Sequence, residues 1–240
     1  MKKKLLLVLT LLIALVLAAC SNDDDAAEKD ETKDAPDTQE QQELEEVEIT
    51  EEEQAEADSV VVSVNGTELT GAKYNNIYKQ FKTMLHMYGQ DTSDQDMLKD
   101  ETVSILVEQE LIRQAAEESG IEVSEEEAQE EMDKIVETNG EEALTAMLEQ
   151  YELTEDEFRS QLVDDLTTIE YIENEFDVEV TAEEVEEQYN LIKEQSEEEV
   201  GELEEHEEMI RQNLSEQKQG EMLENRINEL KEKADIETLI

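Results

Sequence analysis

Hydrophobic and polar positions divide the chain into three stretches. Residues 5–19 are apolar except for Thr10. Residues 21–58 carry almost no large apolar side chain, and from Ser59 onward apolar residues recur with clear periods. Val60, Val61, Val62 and Val64 form a β-branched run that predicts a short strand, and Asn65-Gly66 predicts a turn after it. Thr70 is placed to cap a helix to about residue 88, with Tyr74, Ile77, Tyr78, Phe81, Leu85 and Tyr88 along one face. A second helix runs from Ser93 or Asp94 to about Ser119 and stops at Gly120. It is apolar around much of its circumference, the pattern of a helix central to its domain. Ser124 with Glu127, Thr154 with Glu157 and Thr181 with Glu184 each match the capping-box spacing, so each predicts a helix start. A short helix is expected over residues 141–150. A long last helix is expected from about Glu207 to Ala234, although Gly220 lies inside it. Residues 235–240 are compatible with a closing strand.

These elements define a mainly α fold: a multi-helix domain over residues 59–240 with one small β pairing. The strand at about 60–64 is expected to pair with the segment at about 236–240, which brings the last helix back onto the first ones. The acidic stretch 196–208 is left open between a hinge, a loop and a solvated helix. Residues 20–58, which include Pro36, are too polar to offset their ordering entropy, so a disordered tether spanning roughly 35 Å is expected there.

Charge sharpens this picture. The 240 residues carry 70 acidic and 18 basic side chains, a net −52. Loss of Lys2, Lys3 and Lys4 with a leader would make it −55. Such a surface repels phosphate polyanions and excludes nucleic acid as a partner. It also disfavours broad contact with anionic lipid headgroups. No calcium-loop pattern, phosphate loop, paired-histidine motif or nucleophile elbow occurs, so neither a metal site nor a cofactor is expected. His86 and His206 are the only histidines, and neither sits in a catalytic pattern.

The first stretch has the build of an export signal: three lysines, an apolar run too short to span a bilayer comfortably, then small residues. Leu17, Ala18, Ala19 and Cys20 resemble the bacterial lipobox, which implies a signal peptide over residues 1–19 and a lipidated Cys20. Cys20 is the only cysteine. The expected place of the protein is therefore the outer side of a membrane, held through lipid on Cys20.

Three further motifs carry a family resemblance. Residues 60–69 read V-V-V-S-V-N-G-T-E-L, residues 106–124 read L-V-E-Q-E-L-I-R-Q-A-A-E-E-S-G-I-E-V-S, and residues 177–189 contain D-V-E-V-T followed by E-E-V-E-E and Tyr189. Their order and spacing resemble the SurA/PrsA-type extracytoplasmic chaperones. In many relatives a parvulin-type prolyl isomerase domain lies between the third motif and the last helix. Here only the acidic stretch stands in that place, so no enzyme activity is expected. The resemblance implies a chaperone or holdase that binds unfolded or newly exported polypeptides without ATP. An adaptor lipoprotein with one particular envelope partner is the alternative. Methionine and aromatic side chains suit promiscuous contact with unfolded chains. On that ground Met84, Met87, Tyr88, Met132, Met147 and Tyr151 are the candidate client-binding residues.

Overall fold

The structure is a computed structural model that describes residues 47–151, 153–196 and 201–240. The signal peptide, Cys20 and most of the expected tether lie outside the described residues. A single 3₁₀ turn, Glu51–Glu53, precedes β1 (Val60–Val64) and β2 (Thr67–Thr70). Seven helices follow among the described residues: α1 (Gly71–Met87), α2 (Gln95–Glu118), α3 (Glu125–Asn139), α4 (Glu141–Gln150), α5 (Glu155–Glu175), α6 (Ala182–Gln195) and α7 (Leu203–Lys233). The short strand β3 (Ile236–Thr238) closes the chain. The mainly α architecture agrees with the sequence pattern. The three expected capping boxes form at Ser124, Thr154 and Thr181.

The sheet has the order β2-β1-β3, with both pairings antiparallel. Val62 faces Thr238 and Val64 faces Ile236, which is the terminal pairing expected from the sequence. Asn65 links three segments. Its positive φ of 53° and the 87° of Gly66 make the tight turn between β1 and β2. Its N–H donates to the Asp235 carbonyl at 2.8 Å, and its side-chain oxygen accepts the Asp235 N–H at 2.9 Å. Its side-chain amide donates to Gln114 of α2 at 2.8 Å. Gln114 in turn donates to buried Glu110 at 2.6 Å, and the Arg113 fork clamps the same carboxylate.

Buried side chains of α3, α4 and α5, among them Ala128, Ile135, Leu144 and Leu162, form one part of the core, and three further apolar clusters can be followed along α7 among the described residues. The first joins β1, α1 and α2 through Val61, Val62, Val64, Tyr74, Tyr78, Leu98, Leu106 and Leu111. The second joins α2, α5 and α7 through Ile112, Ala115, Ala116 and Tyr171. The third contains Val185 and Tyr189 of α6 with Ile210 of α7. Helix α2 is the shared wall of the first two, which explains why its sequence is apolar on several sides. Helix α7 passes all three, since Leu214 borders the third, Leu223 and Ile227 the second, and Leu230 the first two.

Two boundaries differ from the expected ones. The domain reaches back at least to Val47, before the expected start at Ser59. Residues 47–58 form a strap whose Ile49 and Ala55 pack on the first cluster and whose Glu53 is buried. The strap is needed because the one buried lysine of α1, Lys82, requires a carboxylate. Helix α7 begins at Leu203, so the acidic stretch is partly helical, with Leu203 as its apolar foothold. As expected, Gly220 lies inside α7 without ending it, since one glycine in a helix interior costs only about 1 kcal/mol.

Candidate functional site

Two places in this fold gather unusual side chains. One is structural in character. Glu53 is 6% exposed, yet its carboxylate is fully satisfied: one oxygen accepts the Thr50 N–H at 2.8 Å and the Thr50 hydroxyl at 2.9 Å. The other accepts the Tyr78 hydroxyl at 2.8 Å and the Lys82 ammonium at 2.5 Å. Lys82 also donates to the Glu48 carbonyl at 2.8 Å. Burial pushes the Glu53 carboxyl up, but the bonds from Lys82, Thr50 and Tyr78 outweigh it and hold the group down at about 2. Burial and the nearby Glu53 charge push the Tyr74 hydroxyl up to about 12. Both Glu53 oxygens are engaged, so the cluster acts as a clasp that ties the strap to α1. Nearby, the Asn75 side chain makes a two-bond bridge to Ala55 at 2.9 Å in each direction.

The second place is open. It lies where the end of α1 meets the end of α4. Met87 and Tyr88 are 40% and 61% exposed, among the most exposed large apolar side chains described. Gln150 donates its side-chain N–H to the Met87 sulfur at 2.9 Å, and the Tyr151 hydroxyl points to the same sulfur at 3.9 Å. Burial, and then the neighbouring Tyr88 phenol, push the Tyr151 hydroxyl up. Met84 and Tyr88 are four residues apart, as are Met147 and Tyr151, so each pair shares one helix face. Met84, Met147 and Tyr151 are half-buried. These five side chains thus make a sulfur-rich and aromatic surface drawn from two helix ends.

Met132 does not belong to it. It is 7% exposed, in a stripe with buried Ala128 and Ile135 on the side of α3 that packs towards α5. A methionine at helical spacing between two other apolar residues is a core residue here, and the expectation for Met132 is corrected accordingly. His86 is half-buried beside the open surface. His206 stacks on Tyr189 with ring centroids 6.4 Å apart. Among the described residues no group of three His, Cys, Asp or Glu is arranged to hold a metal ion. No described helix is long and apolar enough to cross a membrane. Sequence reasoning missed Glu53 and Lys82, whose signals were a fourth Thr-x-x-Glu pattern at Thr50 and a lysine on the apolar face of α1.

Fold and surface together define a mainly α-helical module with a small sheet that joins its two ends. The SurA-like N-terminal domain family matches residues 47–171, more than half of the chain, and the protein belongs to that family. The matched region starts at the strap and takes in the whole Met87–Tyr151 surface. Over 152 residues the chain is 30% identical to the foldase protein PrsA of Caldanaerobacter subterraneus subsp. tengcongensis. That match covers 59% of this chain and 45% of the relative, so the chain spans about half the length of the curated relative it matches. A solved structure described with PEB4 and Cj1289, two SurA-like chaperones of Campylobacter jejuni, has a similar fold. Its TM-score is 0.51 at 11% identity, over 76% of this chain and 99% of that one. No parvulin-type domain occurs among the described residues: α6 leads directly into α7 through residues 196–202.

Proposed function

We propose that the protein is an extracytoplasmic holdase, anchored by lipid on Cys20, that binds unfolded or newly exported polypeptides without ATP. The observation that carries this reading is the exposed Met87–Tyr88 surface, backed by Met84, Met147 and Tyr151, within a domain of the SurA-like N-terminal family. Methionine adapts its shape to different side chains, and tyrosine adds a large contact area at low entropic cost. The high negative charge keeps a captured client soluble and favours basic clients. The lipid supplies the address, and the acidic surface holds the domain off the membrane. As an anchor with two or three acyl chains, a modified Cys20 would bind stably. The isomerase activity associated with longer relatives is not part of the reading.

The mature protein should suppress aggregation of a chemically unfolded client at near-stoichiometric ratio in moderate salt. The Met87→Ser/Tyr88→Ser variant should lose most of that protection, because both side chains are exposed and their loss leaves the core untouched. A folded wild-type protein that gives no protection would overturn the proposal. Mass spectrometry of the membrane-extracted protein reads the lipid on Cys20 separately.

A further inference from the structure

Strand β1 is paired on both sides, so β2 and β3 are the two edges of the sheet. The Asn65–Asp235 and Leu239–Val61 bonds fix which β3 groups face β1. Residues 235, 237 and 239 point inward, so the N–H and C=O of Ile236, Thr238 and Ile240 point away from the sheet. Strand β3 is exposed along its length, as are Ile236, Leu239 and Ile240. Native sheets usually blunt such an edge. Here a cleft of about 330 Å³ runs beside it, between β3 and α2. Its floor is Val103 and Val107, and its polar wall is Lys99, Asp100, Ser104 and Lys231.

Lys99 stands apart in this chain. Among the described residues, every other lysine and arginine has an ion-pair, hydrogen-bond, ring or electrostatic partner. Lys231, across the cleft, is held by Glu108 at 2.8 Å and Ser104 at 3.2 Å. Lys99 is half-buried and has no partner, although acidic residues outnumber basic ones nearly four to one in the sequence. The Lys99 ammonium forms no ion pair, although Asp100 lines the same cleft, so it is free to take a carboxylate delivered by an added strand.

We propose that β3 accepts an extended segment of another polypeptide as a fourth strand, mainly apolar, with one carboxylate side chain set against Lys99. Main-chain bonds to Ile236, Thr238 and Ile240 supply the pairing, and the cleft selects the side chains. Alternate side chains of the added strand enter the cleft over Val103 and Val107. At physiological salt the distant acidic surface is screened beyond about 8 Å, so the local pair with Lys99 decides. This surface is separate from the Met87–Tyr151 surface and does not rest on the holdase reading.

Fluorescence anisotropy of the full chain with a labelled peptide of about eight residues tests it, the peptide alternating valine and threonine around one central glutamate. The peptide should bind saturably, and Lys99→Glu should weaken it by about tenfold. Replacing the peptide glutamate by lysine should weaken it likewise. Thr238→Pro removes an outward N–H while sparing the bonds to β1, so it should abolish binding at unchanged thermal midpoint. Should that variant unfold, peptide N-methylation decides on the wild-type protein. Methyl groups on one set of alternate amides should block binding, and on the other set should be tolerated. Equal binding of the glutamate and lysine peptides, or tolerance of both methylation patterns, would overturn the proposal.

Discussion

The two halves of α7 are held by different means. Its C-terminal half lies against the sheet and α2, where Leu230 and Ala234 meet a large apolar cluster and Lys231 bonds across to Ser104 and Glu108. That end of the molecule also has the Glu53 clasp and the Asn65 junction, so distant parts of the chain are tied by buried or paired polar groups. The N-terminal half of α7 meets α6 and the segment that leads into it. Its cluster has three buried side chains, Val185, Tyr189 and Ile210. Its polar ties sit on the surface: Arg211 to the Val180 carbonyl at 2.6 Å, and Lys218 to Glu184 at 2.6 Å and to the Glu179 carbonyl at 2.8 Å. The chain has many buried apolar side chains in the sheet and α1–α5, and few in the thin helical arm of α6 and the first half of α7. The arm, made of α6 and the first half of α7, stands between α5 and the returning part of α7.

The sharpest way to break the contrast is at the clasp. Glu53→Ala leaves Lys82 buried without a carboxylate and strips the strap of its anchor. It should cost about 3–5 kcal/mol, read as a lower denaturant midpoint for the whole domain. Glu53→Leu with Lys82→Met should recover much of that loss, because the uncompensated charge is gone. The pH dependence has a defined sign. Glu53 is held below its ordinary 4.5, near 2, so its stabilisation is complete above pH 4.5 and disappears as the pH falls towards 2. Asp165 on α5 behaves oppositely: burial, and then the Asp164 charge, push it up to about 7. Its ionisation opposes folding increasingly from its ordinary 3.8 up to about pH 7, so protonating it stabilises the domain. The two groups together predict greater stability near pH 5 than at pH 7, while from pH 5 to pH 3 the loss at Glu53 and the gain at Asp165 nearly cancel.

A smaller effect separates the arm from the rest. Ile210 is 1% exposed and is the only buried residue that α7 contributes. Ile210→Ala should remove about 2–4 kcal/mol locally. Because the arm has no second layer, the loss should appear as faster amide exchange through α6 and the first half of α7. Exchange in β1, α1 and α2 should stay unchanged. A uniform loss across the domain would show that the arm and the sheet end unfold as one unit.

The sequence revealed the helices better than the ties between them. Ser124, Thr154 and Thr181 mark their helices by local chemistry that needs no knowledge of the fold. The β1–β3 pairing was legible because both ends of the domain carried short β-compatible runs. The start of the domain was not: Thr50 and Glu53 have the same spacing as the three recognised caps, but Glu53 stands in a run of acids where its burial leaves no compositional trace. Gly71 was silent for a similar reason. A Cβ there would lie 2.1 Å from the Glu56 carbonyl oxygen, a constraint created wholly by the strap crossing α1. At the open surface, periodicity could group Met84, Met87 and Tyr88, but it could not separate exposed Met87 from buried Met132. That difference depends on which helix face finds a neighbour.

Gly220 gives the mildest test, and it runs in the stabilising direction. It lies within α7, past the arm and before the Leu223, Ile227 and Leu230 contacts, so it joins the two differently held halves. Nothing lies within 4 Å of a Cβ added there, and its backbone is ordinary helix. Gly220→Ala should therefore gain about 0.5–1 kcal/mol by removing conformational freedom from the unfolded chain. If the halves of α7 are coupled only through this helix, the alanine should also slow amide exchange in the arm more than in the sheet. An alanine that raises the thermal midpoint yet leaves arm exchange untouched would place the weak point in the α6–α7 packing itself, at Val185, Tyr189 and Ile210.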